Sequence, residues 1–70
     1  MEKRITIIFN GQRYRCSKSI TLLNLLNYFN YTPSLLVIEY NKVICTTENW
    51  GKTYLKHNDK IEVVSIVGGG

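Results

Sequence analysis

The chain of 70 residues is short of several things, and each shortage excludes something. It has two cysteines, Cys16 and Cys45, and one histidine, His57. The cysteines stand far apart and lack zinc-ligand spacing, so no metal site is expected. Both fall in strand-like segments and read as small buried thiols rather than as a disulfide framework. No apolar run is long enough to span a bilayer, so no membrane role is expected. Met1-Glu2-Lys3-Arg4 leads straight into a strand-like run with no signal-peptide pattern. The chain is therefore expected to work where it is made: the cytoplasm, or the plastid stroma if organelle-encoded. There is no internal repeat, linker or low-complexity segment apart from Gly68-Gly69-Gly70.

What is present suits one small globular domain. The apolar fraction is 44% and the charged fraction 20%, which predicts folding rather than disorder. A core of this size is marginal, because so short a chain buries a modest share of its surface. The net charge is +4, carried by nine basic residues that are scattered along the sequence. The closest groupings are Lys3-Arg4 and Arg13, Arg15 and Lys18. A solvated basic surface suits this, as does an acidic protein partner drawn in by electrostatic steering. Nucleic acid is the less favoured partner.

Periodicity gives the elements. Ile5 to Phe9 is a β-type run, and Asn10-Gly11 accepts the positive φ of a type I′ hairpin turn. Gln12 to Cys16 alternates, with Tyr14 and Cys16 on one side and Arg13 and Arg15 on the other. Leu22, Leu25, Leu26 and Phe29 lie at the spacing of one helical face. Thr21 is the expected N-cap, and Ile20 could staple onto Leu25. Asn30 and Pro33 bound the helix. Leu35 to Tyr40 reads as a central strand, Asn41-Lys42 as a turn and Val43 to Cys45 as a short strand. Thr46 to Trp50 reads as an irregular or single-turn helical crossover. Tyr54-Leu55 leads to the Asn58-Asp59 turn, and Ile61 to Val67 is the last strand. A hairpin, a helix and then a strand group pack most simply with the last strand beside the first. The expected fold is α+β, a β-grasp with a mixed sheet packed on one main helix. Residues 1–67 form the body and 68–70 a flexible glycine tail; a four-stranded sandwich of other strand order is the competitor.

The polar positions assign faces. Glu39, Glu62 and Thr6 should point away from the helix. Leu36, Ile38, Tyr40, Ile61 and Val63 then point inward. Ile8, Val37, Val64 and Ile66 point outward, an apolar cluster leading through Val67 into the tail, and this is the candidate partner interface. The tail itself is the other candidate. Glycine has no Cβ, so it enters narrow channels and leaves a terminal carboxylate open to chemistry.

These residues resemble the ThiS-type sulfur carriers of thiamine biosynthesis, small ubiquitin-like β-grasp proteins. The resemblance rests on Ile7-Ile8-Phe9-Asn10-Gly11, Thr21-Leu22-Leu23, Val37-Ile38-Glu39-Tyr40-Asn41 and Glu48-Asn49-Trp50. It continues through Asn58-Asp59-Lys60-Ile61-Glu62-Val63-Val64 to Val67-Gly68-Gly69-Gly70. Two positions depart from it. Asn58 stands where the family often has Gly, and Asn tolerates left-handed angles. Thr46-Thr47 replaces a frequent Pro-Arg pair, which puts any partner contact of that arginine in doubt.

The resemblance implies a carrier and co-substrate, not an enzyme, with no cofactor of its own. The Gly70 carboxylate is adenylated by an E1-like partner that uses ATP and Mg²⁺. Sulfur from cysteine, through a cysteine desulfurase persulfide, then converts it to a thiocarboxylate. Thiazole synthase receives that sulfur. Gly68 and Gly69 give slender access. The residues themselves suggest no catalytic group. His57 reads as a solvated loop residue, Asp59 as a turn residue, Trp50 as a core or crossover anchor, and nothing near Cys16 indicates activation. Competing readings are the sulfur-carrier subunit of molybdopterin synthase, a protein-conjugating modifier, a small basic nucleic-acid-binding module and a docking domain. The molybdopterin carriers usually have prolines before their glycines, where this chain has Ser65-Ile66-Val67.

Overall fold

The structure, a computed structural model, describes residues 3–31 and 36–65, at Ser65 the backbone only. Its elements in chain order are β1 (Arg4–Phe9), β2 (Gln12–Ser17), α1 (Leu22–Tyr28), β3 (Leu36–Tyr40), β4 (Val43–Cys45), α2 (Thr47–Trp50) and β5 (Lys60–Ser65). The strands form one mixed sheet in the order β2-β1-β5-β3-β4. β1 and β5 run parallel side by side, as the β-grasp reading requires, and the other pairs are antiparallel. β3 is interior, but the middle strand is β5.

Local chemistry explains the boundaries. Asn10 and Gly11 have φ of 50° and 83°, the two positive values of the predicted turn. Thr21 caps α1 through a capping box. Its Oγ1 accepts the Asn24 N–H at 3.1 Å, and Asn24 Oδ1 accepts the Thr21 N–H at 2.9 Å. α1 stops at Asn30, which takes φ 63°. There the Asn30 N–H bonds to the Asn27 carbonyl and the Tyr31 N–H to the Leu26 carbonyl, a Schellman closure with Asn in the glycine role. Pro33 and Leu35 lie outside the described residues.

The core lies between α1 and the inner sheet face. Ile7, Leu22, Leu26, Ile38, Trp50, Leu55 and Ile61 are all but fully buried. Each such side chain contributes about 1.5–3 kcal/mol relative to exposure. Trp50 anchors α2, its Nε1–H donating to the Cys45 carbonyl at 2.8 Å. Phe9 stacks on Phe29 with centroids 4.9 Å apart. Leu36, Tyr40 and Val63 point inward as expected but are half-buried at the edge of this layer.

One expectation is corrected. Cys16 and Cys45 are free and half-buried, not buried. Each lies on an outermost strand of the sheet, β2 or β4, where cover is incomplete. Burial raises the Cys16 thiol above its ordinary value, with the Arg4 charge pulling weakly the other way. At neutral pH it is a thiol, a poor nucleophile.

Candidate functional site

The site is built on β5, because that strand leads in sequence to the glycines. Its start is tied down by side chains. Asp59, buried in a turn, accepts the Lys56 N–H at 2.7 Å on Oδ2 and the Asn41 Nδ2–H at 3.1 Å on Oδ1. The Tyr40 hydroxyl also donates to Asp59 Oδ2. Burial, followed by this bond and the Asp59 charge, raises the Tyr40 phenol well above the ordinary tyrosine value. Asn41 accepts the Lys60 N–H on Oδ1 at 2.8 Å and donates its own N–H to the Lys60 carbonyl at 2.7 Å. The Ile8 N–H donates to the Asp59 carbonyl at 2.8 Å.

His57 extends the ladder below β5. Its Nδ1 accepts the Thr6 N–H at 3.1 Å, while the Asn58 N–H donates to the Thr6 carbonyl at 2.7 Å. The imidazole is exposed, as expected of a loop histidine, yet it takes the place of a strand carbonyl. Asn58 has φ 71°, the left-handed angle its family position calls for.

The far end of β5 is held differently. The ladder with β1 pairs Ile8 with Lys60 and Phe9 with Ile61. Asn10 then donates its backbone N–H to the Ile61 carbonyl at 2.9 Å and accepts the Val63 N–H on its Oδ1 at 2.9 Å. Beyond that, the described pairing of β5 is with β3, up to Leu36 opposite Ser65.

Register places the predicted interface residues. Ile8, Val37 and Val64 all fall on the face that α1 leaves uncovered. Val37 stands directly opposite Val64. Ile8 stands beside Lys60, four residues earlier on β5, and the Glu39–Glu62 pair lies between it and the valines. Two of the three are therefore brought together and one is not. Ile66, Val67, Gly68, Gly69 and Gly70 lie outside the described residues. The sequence reading missed Ile44, which is 54% exposed and opposite Glu39 on the same face. Extending the alternation from Glu39 across the Asn41-Lys42 turn points to it.

The basic residues, scattered in sequence, are gathered by the β1–β2 hairpin. Its register sets Arg4 opposite Ser17, Thr6 opposite Arg15 and Ile8 opposite Arg13. Arg4, Arg13, Arg15 and Lys60 are exposed around half-buried Thr6 and Ile8 on the uncovered face. The missed signal is negative: residues 3–38 hold five Lys or Arg and no Asp or Glu. Among the described residues, no group of three or more His, Cys, Asp or Glu gathers to hold a metal ion. No helix among them is long and apolar enough to cross a membrane.

The profile of the ThiS family matches residues 7–70. The chain belongs to the ThiS family. The fold agrees with the crystal structure of a thiamine biosynthesis protein (ThiS) from Geobacter metallireducens, at TM-score 0.80 and 22% identity. That likeness covers 94% of this chain and all of the other. In sequence, the chain is 54% identical over 65 residues to Uncharacterized protein ycf40 of Trieres chinensis, covering 93% of this chain and 89% of that protein. Against Uncharacterized protein ycf40 of Pyropia yezoensis it is 39% identical over 70 residues, covering all of this chain and 99% of that one. It is also 33% identical over 64 residues to a Thiazole synthase of Magnetococcus marinus, spanning 91% of this chain but 20% of that protein. As a ThiS family member the chain is a ubiquitin-like sulfur carrier of the β-grasp type.

Proposed function

We propose that this chain carries sulfur for thiazole formation as a thiocarboxylate on Gly70. The observation that carries the reading is the ThiS family match, which includes all three glycines. A carboxylate resists nucleophiles because it is negative and oxide leaves poorly. Conversion to an acyl-adenylate by an E1-like partner using ATP and Mg²⁺ removes both obstacles, and metal and cationic groups there stabilise the phosphate charge. The terminal sulfur of a persulfide, derived from cysteine through a cysteine desulfurase, then attacks the acyl carbon and AMP leaves. A thiol reductant cleaves the S–S bond of the resulting acyl disulfide and releases the thiocarboxylate.

The carrier's own part is presentation. Residues 66–70 reach at most about 17 Å when extended, enough to enter a buried site while the body stays outside. Gly68 and Gly69 keep that path narrow. Asp59, His57 and Tyr40 are engaged in holding β5, which suits a co-substrate rather than an enzyme. The thiazole synthase relative, in which a segment like this chain is part of the same polypeptide, supports thiazole synthase as acceptor. The ycf40 names of the other relatives indicate plastid-encoded proteins and support the plastid stroma as the compartment.

The test is intact mass after incubation with ATP, Mg²⁺, a sulfur source and the thiamine-pathway activating enzyme. The expected product has one oxygen replaced by sulfur. An unchanged mass with that activator, and product with the molybdopterin-pathway one, assigns the chain to the other pathway.

A further inference from the structure

We propose that the basic half of the uncovered sheet face is a second docking surface, separate from the tail, for a partner protein that presents an acidic patch. Its residues are Arg4, Thr6, Ile8, Arg13, Arg15 and Lys60. Strands lie about 4.8 Å apart, so Arg13 and Lys60 stand about 10 Å apart across Ile8. Arg15 and Arg4 close the rim beyond Thr6. The centre is apolar and half-buried, and the four cations around it are exposed. The hairpin strands have no acidic residue to neutralise them, and among the described residues the nearest acids on this face are Glu62 and its partner Glu39.

Charge complementarity selects the occupant. A cationic rim on an apolar centre needs carboxylates around a matching apolar contact, and arginine is enriched at such hot spots. A single-stranded nucleic acid needs stacking aromatics as well. The exposed aromatics Tyr28 and Tyr54 lie on α1 and in an isolated bridge opposite Thr21, not on this face. Tyr14 points to the covered side, since it pairs with core residue Ile7.

Position makes the surface separate from the tail. Ser65 lies five residues beyond Lys60, about 17 Å along β5. A partner that engages the tail at one end can hold this face at the other. The contact sets encounter rate and orientation, and leaves the chemistry at Gly70 to the tail.

The choice of test partners rests on the proposed function: the adenylating enzyme and thiazole synthase. Affinity of the full chain for each is measured at low and high salt. Arg13→Glu/Arg15→Glu is compared with Lys42→Glu/Lys52→Glu, which makes the same change in net charge elsewhere on the surface. Thermal unfolding checks both folds. If the arginine pair does not hold its fold, Arg13→Gln/Arg15→Gln carries the test. The expected result is a loss on the order of tenfold or more for the arginine variant with at least one enzyme, concentrated in the association rate and shrinking as salt rises. The lysine variant should change affinity less than about threefold. Equal effects of the two variants, no effect of either, or no binding by the parent chain overturns the proposal. So does a loss confined to a single-stranded oligonucleotide or to anionic vesicles. Sulfur transfer is read separately by mass. A parent chain that binds through the arginines but gains no sulfur sinks the carrier reading alone. One that gains sulfur with affinity untouched by Arg13→Glu/Arg15→Glu sinks this proposal alone.

Discussion

The two ends of β5 are built on different principles. At its start, Asp59, Asn41, Tyr40 and His57 knit the strand to β1 and β3 through side-chain bonds. At its far end β1 has already turned away, and one side-chain bond from Asn10 is followed by backbone pairing with β3. The difference teaches where a short strand is anchored. Side-chain bonds are concentrated where β5 enters the sheet, and the far end is left to backbone pairing with β3, which suits the proposed role of the segment that follows.

The sharpest way to break this comparison is to damage each end alone. Gly69→Val adds a branched side chain where the reading needs a thread. It should abolish thiocarboxylate formation, seen by intact mass, while the urea midpoint stays unchanged. Normal conversion of this variant defeats the steric argument. Asp59→Ala does the reverse. It leaves the Lys56 N–H, the Tyr40 hydroxyl and the Asn41 amide without their acceptor, and should cost about 2–4 kcal/mol in urea unfolding. Val64→Ala, at a residue 41% exposed, should cost under about 1 kcal/mol. Similar losses at Asp59 and Val64 would erase the distinction between the two ends.

The third test uses pH. The Tyr40 phenol is raised above its ordinary value of 10.0 by burial and by Asp59. An acid held protonated in the folded state contributes stability below its unfolded value, and loses it as pH rises past that value. The parent chain should therefore weaken above pH 10.0 more steeply than Tyr40→Phe. At pH 7 the variant should be less stable by about 1 kcal/mol, the net worth of one hydrogen bond. The gap between the two should close as pH rises. A gap of constant size would mean that the Tyr40–Asp59 contact does not bind the proton.

Much of this was legible in the sequence, for identifiable reasons. Alternation around Thr6, Glu39 and Glu62 assigned the faces of the described residues correctly, because one buried face fixes register. The Thr21 cap, the Asn10-Gly11 turn and the inward Trp50 follow from residue chemistry alone. Three things did not. Strand offset determines that Ile8 sits beside Lys60 rather than Val64, and offset has no periodic signal. The gathering of Arg4, Arg13 and Arg15 needs the hairpin register. The role of Asp59 as acceptor for three donors depends on Tyr40 and Asn41, which come from a different strand end.

The smallest effect probes how much strain the anchored end carries. Two tight turns in the sheet have two positive φ angles each. Asn10-Gly11 meets the requirement with glycine, whereas Asn41-Lys42 places a lysine at φ 71°. The left-handed region disfavours a residue with a Cβ, and Asn-Gly is the preferred pair at such turns. Asn41 is not free to change, since its side chain bonds Lys60 and Asp59. Lys42 is, so Lys42→Gly should relieve the strain. Part of the gain is cancelled by the greater freedom of glycine in the unfolded chain, leaving a net stabilisation of a few tenths to about 1 kcal/mol. A loss instead would show that the Lys42 side chain itself helps to hold the turn. The anchored end of β5 would then depend on one more residue than its hydrogen bonds reveal.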